Sequence, residues 1–153
     1  MLEPGDKAPR LKGTLQDGST LKLADLAGKP FVVYFYPKDA TPGCTLEAQN
    51  FRDLYPKFAK HGCKIVGVSR DSVASHEKFC GKHDLPFPLV ADTDETWCRA
   101  FDVIGEKVLY GKKHVGVIRS TFLFGADGRL VQAWRNVRVP GHAEAVLERL
   151  TRQ

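Results

Sequence analysis

The sequence lacks the features that would place it in a membrane, a repeat array or a nucleic-acid complex. No apolar run approaches the ~20 residues that a spanning helix needs. The longest, Phe31 to Tyr36, is strand-sized. No internal repeat, low-complexity segment or Gly/Ser linker divides the chain. Neither standard Gly-rich phosphate loop is present, and no basic stripe is interleaved with aromatics, so nucleotide and nucleic-acid readings have no motif to rest on. The four cysteines, at 44, 63, 80 and 98, include no C-x-x-C pair. Structural zinc sites normally use close pairs, so no metal is expected. The opening Met1-Leu2-Glu3-Pro4-Gly5-Asp6 has no basic n-region and no apolar h-region. The expectation is a cytoplasmic protein. Standing disulfides are rare in that reducing compartment, where a cysteine is buried filler, a metal ligand or a reactive thiol.

What remains suits one compact unit. The 153 residues are 42% hydrophobic, which supports a single domain over 1–153 and excludes disorder. The net charge of +5 comes from 23 basic and 18 acidic residues. The late arginines Arg119, Arg129, Arg135, Arg138, Arg149 and Arg152 read mainly as solvated surface. Asp17-Gly18 supplies the turn of a hairpin over 14–21. The run 31–36 predicts a strand buried on both faces, stopped by Pro37. Phe51, Leu54, Tyr55 and Phe58 form one helical stripe, starting at the cap Thr41-Pro42 and kinked at Pro56. A second buried strand over 64–69 follows. A helix capped by Asp71 or Ser72 then runs to about His83. Next come a short strand at 88–91, a short helix over 94–101, a hairpin of 120–124 with 130–134, and a last helix over 142–150. This order predicts an α/β sandwich with parallel strands from the crossovers and antiparallel ones from the late hairpin.

The chemistry concentrates in Tyr36-Pro37-Lys38-Asp39-Ala40-Thr41-Pro42-Gly43-Cys44-Thr45-Leu46-Glu47. This segment joins a buried strand to a capped helix and puts a thiol in the first helical turn. Backbone N–H groups there lack intrahelical partners and carry partial positive charge, which favours thiolate over thiol. The preceding loop is expected to leave the sulfur reachable. By position alone, an ordinary buried cysteine fits equally well.

The spacing P-x-x-x-T-x-x-C, made by Pro37, Thr41 and Cys44, resembles the peroxiredoxins. The fuller string is similar to their peroxiredoxin Q group, also called bacterioferritin comigratory protein. The likeness covers nearly the whole chain. It includes Gly5-Asp6-Lys7-Ala8-Pro9, the Asp17-Gly18 hairpin, Gly67-Val68-Ser69 and Gly116-Val117-Ile118-Arg119-Ser120-Thr121-Phe122-Leu123. It implies a thioredoxin-like fold of the peroxiredoxin type, with a central mixed β-sheet flanked by helices and an N-terminal β-hairpin. It also implies a thiol-dependent peroxidase acting on hydrogen peroxide and organic hydroperoxides in antioxidant defence. Cys44 would attack one peroxide oxygen and become a sulfenic acid. Thr41 would offer a hydroxyl, and the Gly43 and Cys44 N–H groups further donors. Arg119 would keep the sulfur charged and polarise the peroxide, Glu47 would orient Arg119, and Pro37 would shield the site. The plain alternatives are a strand-end surface arginine, a solvated helix acid and simple strand termination.

Turnover requires the sulfenic acid to be resolved. Many peroxiredoxin Q sequences place the resolving cysteine five residues after the first, where this chain has Gln49. A second subgroup carries it on the later helix, which points to Cys80; Cys63 and Cys98 read as core. The resemblance further implies thioredoxin as reductant, no cofactor, and a monomer. Two Cα atoms must come within roughly 7 Å to share a disulfide, so local unwinding near Phe79, Gly81 or Pro56 is expected during turnover. A one-cysteine enzyme resolved by an external thiol stays open, as does a non-catalytic thioredoxin-fold binding module. A disulfide oxidoreductase would need the absent C-x-x-C. A Cys–His hydrolase would need His61, His76, His83, His114 or His142, none in a motif and most expected at the surface.

Overall fold

The computed structural model describes residues 1–152. In chain order its elements are β1 (Lys12–Leu15), β2 (Thr20–Lys22), a short 3-10 helix (Leu23–Leu26), β3 (Phe31–Phe35), α1 (Pro42–Lys60), β4 (Lys64–Ser69), α2 (Val73–His83), β5 (Leu89–Ala91), α3 (Thr96–Ala100), β6 (Ile104–Leu109), β7 (Lys112–Val117), β8 (Ser120–Phe124), β9 (Leu130–Arg135) and α4 (His142–Thr151). Seven strands form one sheet in the order β2-β1-β5-β4-β3-β8-β9. β3, β4 and β5 are parallel, as the α1 and α2 crossovers require; β8 lies antiparallel on the other side of β3. The expected mixed sheet flanked by helices is what the chain forms.

β3 is buried along its whole length. Phe31, Val33 and Phe35 enter one apolar cluster, with Trp97, Phe101 and Phe122. Val32, Tyr34 and Tyr36 enter the other, with Phe51, Phe58 and Val146. Both sheet faces are therefore covered, so a period-2 alternation would be wrong for this strand and the unbroken apolar run is right. α1 begins as read, with Thr41 extended at the cap and Pro42 in the first turn. The kink expected at Pro56 does not interrupt α1. That proline is exposed, so solvent can satisfy the carbonyl that its missing N–H leaves free. Ser72 caps α2, accepting from the Ser75 N–H at 3.1 Å.

Two local readings change. α3 is shorter than 94–101 because Glu95 sits in the left-handed region at φ 63°. Its Thr96 N–H donates to Asp94 Oδ1 at 3.1 Å, and the next two go to the Asp92 carboxylate, from Trp97 at 2.9 Å and Cys98 at 2.8 Å. The hairpin of β6 and β7 was not anticipated. Its two-residue turn is Tyr110-Gly111, both at positive φ (53° and 75°), which is the primed hairpin geometry without the usual Asn-Gly or Asp-Gly signal.

Candidate active site

The register of the sheet assembles the site. Phe35 pairs with Ser120, so Arg119, just before β8, comes beside the end of β3, where the chain turns into the Cys44 loop. Residues 75 apart thereby meet: Arg119 Nη2 donates to Cys44 Sγ at 3.4 Å. Arg119 Nη1 donates to Glu47 Oε1 at 2.8 Å. Glu47 lies one helical turn after Cys44 on α1 and is buried, with 1% of its surface exposed. Burial pushes its carboxyl up to about 7, against the pull of the Arg119 guanidinium. Burial also works against the Arg119 charge, but Glu47 and Cys44 outweigh it and hold the guanidinium above its ordinary value. Gly43 eases this approach: a Cβ there would lie 3.2 Å from Arg119 Nη2, closer than an ordinary contact.

Cys44 is buried, with 2% exposed, where an open sulfur was expected. The sulfur belongs to the apolar cluster of Tyr34, Tyr36 and Phe51, and against it lies the Arg119 guanidinium. Outside it is a cavity of about 570 Å³ lined by Pro37, Lys107, Ile118, Arg119 and Val137, among others. Pro37 thus stands at the mouth. The Thr41 hydroxyl donates to the Lys38 carbonyl at 2.8 Å, closing the loop on itself, and makes no side-chain cap.

The AhpC/TSA family profile matches residues 4–133. Peroxiredoxin Bcp of Xanthomonas campestris pv. campestris is 57% identical over 137 residues, 90% of this chain and 86% of that protein. Two solved variants of Xanthomonas campestris peroxiredoxin Q, each with serine for one of two cysteines, superpose with a TM-score of 0.88 at 55% identity, covering 93% of this chain and 90% of theirs. Trapped intermediate/ligand complex structures of Xanthomonas campestris bacterioferritin comigratory protein, concerned with its alkyl peroxide reduction activity, match equally (TM-score 0.88, 54% identity, 93% and 90% covered). The chain belongs to the AhpC/TSA family, in its peroxiredoxin Q group. It has the thioredoxin-like peroxiredoxin fold and is a thiol-dependent peroxidase, an oxidoreductase.

All four cysteines of this peroxiredoxin are free thiols. Cys63 and Cys98 are core residues, and burial raises both, Cys63 to about 12. Cys80, on α2, is only half-buried; burial first and the Asp39 carboxylate second push its thiol up to about 11.

The sequence reading missed a polar cluster on the α2 side of the Cys44 loop. Asp39 Oδ1 accepts from the Tyr36 hydroxyl at 2.6 Å; Asp39 Oδ2 accepts from the Ser75 hydroxyl at 2.8 Å and lies 2.7 Å from His76 Nδ1. The Asp39 N–H donates to Asp71 Oδ2 at 2.9 Å. Two histidines are thus not surface residues: His76 is fully enclosed, and His142 is buried against the Thr121 hydroxyl at 2.8 Å. Burial and then the Arg119 charge lower His142 to about 4, which leaves it neutral. Asp39, Asp71 and His76 bring ligand atoms within 4.8 Å of one another, but hydrogen bonds within the protein already use them. Nothing in their spacing announced this cluster; the parallel pairing of β3 with β4 creates it. No helix among the described residues is long and apolar enough to cross a membrane.

Proposed function

We propose that Cys44 is the peroxidatic nucleophile of this peroxidase, and that the split fork of Arg119 carries the reading. One guanidinium nitrogen is fixed by Glu47 and the other reaches the Cys44 sulfur. A cation at 3.4 Å and the first turn of α1 both favour the thiolate, the form that attacks peroxide. Attack moves a sulfur lone pair to one peroxide oxygen, breaks the O–O bond and releases the other oxygen as water or alcohol, leaving Cys44 as a sulfenic acid. The Arg119 guanidinium and the Gly43 and Cys44 N–H groups are the donors for the charge that grows on the leaving oxygen. Thr41 closes the loop through Lys38 and so positions these donors. Pro37 excludes water at the mouth.

The substrate class is hydrogen peroxide and organic hydroperoxides. The cavity over Arg119, walled by Pro37, Ile118 and Val137, is roomier than hydrogen peroxide needs. The alkyl peroxide activity of the Xanthomonas campestris relative supports the same class. Cys80 is the resolving cysteine: it is the most exposed of the other three, and the two cysteines replaced in the Xanthomonas campestris variants stand at the same interval as Cys44 and Cys80. Thioredoxin then opens the disulfide. The enzyme acts as a monomer in the cytoplasm, a setting that suits four unpaired thiols.

The test is peroxide-dependent oxidation of NADPH through thioredoxin and its reductase. Cys44→Ser abolishes it, and peptide mass spectrometry of the peroxide-treated wild type finds Cys44 joined to Cys80. Retained turnover in Cys44→Ser would refute the reading of Cys44; a Cys44–Cys63 or Cys44–Cys98 bridge would refute that of Cys80.

A further inference from the structure

The Asp39–His76 cluster joins the loop of Cys44 to the helix of Cys80. Asp39 lies in the loop that presents Cys44, whereas Ser75 and His76 lie in the first turn of α2, the helix of Cys80. The bonds leave no slack. His76 Nε2 faces the Val90 carbonyl at 3.0 Å, an atom that can only accept, so Nε2 donates there and Nδ1 is turned to Asp39 at 2.7 Å. Tyr36 and Ser75 add their hydroxyls to the same carboxylate. Behind it, Asp71 holds the Asp39 N–H and the Ser69 hydroxyl. Ala40, next in the loop, is kept in the left-handed region at φ 62°, a conformation a residue with a Cβ holds only when its surroundings impose it.

We propose that the Asp39–His76 pair is a latch between α2 and the Cys44 loop, and that its opening gates capture of the Cys44 sulfenic acid by Cys80. The proposal rests on the reading of Cys80 as the resolving cysteine. While the latch is shut, burial and the neighbouring Asp39 carboxylate keep Cys80 protonated, and a thiol is a poor nucleophile. Opening carries α2 away from Asp39 and into solvent, which removes both restraints. The Cys80 thiolate then attacks the Cys44 sulfenic sulfur. The S–S bond forms as the S–O bond breaks, and hydroxide leaves as water with the proton Cys80 gave up. Cys80 is oxidised and Cys44 reduced, with no outside reactant. The competing reaction is attack of the waiting sulfenate on a second peroxide, giving sulfinic acid. Asp39 and His76 are therefore positioning residues that set the partition between disulfide and overoxidation.

The experiment compares wild type, Asp39→Asn, His76→Gln and the double variant. After one equivalent of peroxide, thiol-trapped samples are read by mass spectrometry for Cys44–Cys80 disulfide and Cys44 sulfinic acid over time. Each single variant should form the disulfide about tenfold faster from the sulfenic state, within the range that coupling between directly bonded side chains produces. It should also accumulate less sulfinic acid at high peroxide. The double variant should be no faster than either single one, since one latch can be opened only once. Leu130→Ala, a truncation in β9 within the other apolar cluster, lowers the melting temperature away from the latch and should leave the partition at the wild-type value. If the buried substitutions prevent folding, Ser75→Ala removes one donor to Asp39 and should shift the partition in the same direction by a smaller factor. Unchanged or slower disulfide formation in a folded latch variant overturns the proposal, as does the same shift in Leu130→Ala. Absence of the Cys44–Cys80 bond in the wild type overturns the reading of Cys80 and the latch with it.

Discussion

Two acid–base pairs flank the Cys44 loop, and they are built differently. Glu47–Arg119 spans 72 positions and Asp39–His76 spans 37. Both carboxylates are buried. Asp39 uses both oxygens: Oδ1 accepts from Tyr36, and Oδ2 accepts from Ser75 and lies against His76 Nδ1. Glu47 uses one; its Oε2 has no partner among the described residues. Burial raises its carboxyl to about 7 although an arginine lies beside it. The difference is functional. Glu47 engages Nη1 alone, and Nη2 is left to the sulfur. A half-satisfied carboxylate holds Arg119 by one arm and leaves the other on Cys44. A fully satisfied one only holds geometry.

The largest effect that could break this contrast is loss of Arg119. Arg119→Ala should lower kcat/KM for peroxide about 10²–10³-fold, the scale of removing one preorganised donor from a reacting oxygen. Arg119→Lys keeps the charge but cannot reach two partners in fixed directions, so it should recover only part of the loss. Stopped-flow measurement of Cys44 oxidation reads both. An alanine variant as fast as wild type would mean that the sulfur does not depend on the arginine.

Glu47→Gln sharpens the comparison through pH. Unfolded, Glu47 titrates near 4.5; folded, near 7. Between those values the native state binds a proton that the unfolded chain has lost, so the stability this group contributes at low pH is lost as pH rises through the window, by up to about 3 kcal/mol. Glutamine cannot titrate. Urea unfolding from pH 4 to pH 8 should therefore show wild-type stability falling relative to the variant across the window. A stability difference that is constant with pH would show that Glu47 does not hold the proton.

Most of the frame was legible in the sequence because local signals agreed with tertiary demands. The buried run 31–36, the Thr41-Pro42 start and the Ser72 cap each fixed an element within a residue or two. The pairing of Cys44 with Arg119 was legible only through resemblance, since nothing local reports the β3–β8 register. The burial of Cys44 was misread, because the loop before a helix is open by default, whereas here the sulfur packs into the cluster of Tyr36 and Phe51 and against an arginine 75 positions away. His76 went unrecognised for the same reason: its partners lie on the Cys44 loop, on β4 and on β5. The β6–β7 hairpin was missed because Tyr110-Gly111 hides a primed turn behind an aromatic residue.

The smallest effect tests the satisfied pair against an unsatisfied neighbour, using one chemical change at two stacked rings. Tyr34 and Tyr36 lie with ring centroids 5.6 Å apart, and both are buried. The Tyr36 hydroxyl donates to Asp39 at 2.6 Å, whereas the Tyr34 hydroxyl has no partner among the described residues. Tyr36→Phe takes a donor from a buried carboxylate and should cost about 1–3 kcal/mol of stability. Tyr34→Phe removes a hydroxyl that gained nothing on folding, and should be neutral or stabilising by up to about 1 kcal/mol. Chemical denaturation of the two variants side by side decides it, because ring volume, stacking and apolar burial are the same in both. A loss at Tyr34→Phe as large as that at Tyr36→Phe would mean that the Tyr34 hydroxyl is paired in solution, and no loss at Tyr36→Phe would mean that Asp39 does not need Tyr36. The Asp39 cluster would then be no better satisfied than Glu47, and its part in holding α2 against the Cys44 loop would fall to His76 and Ser75.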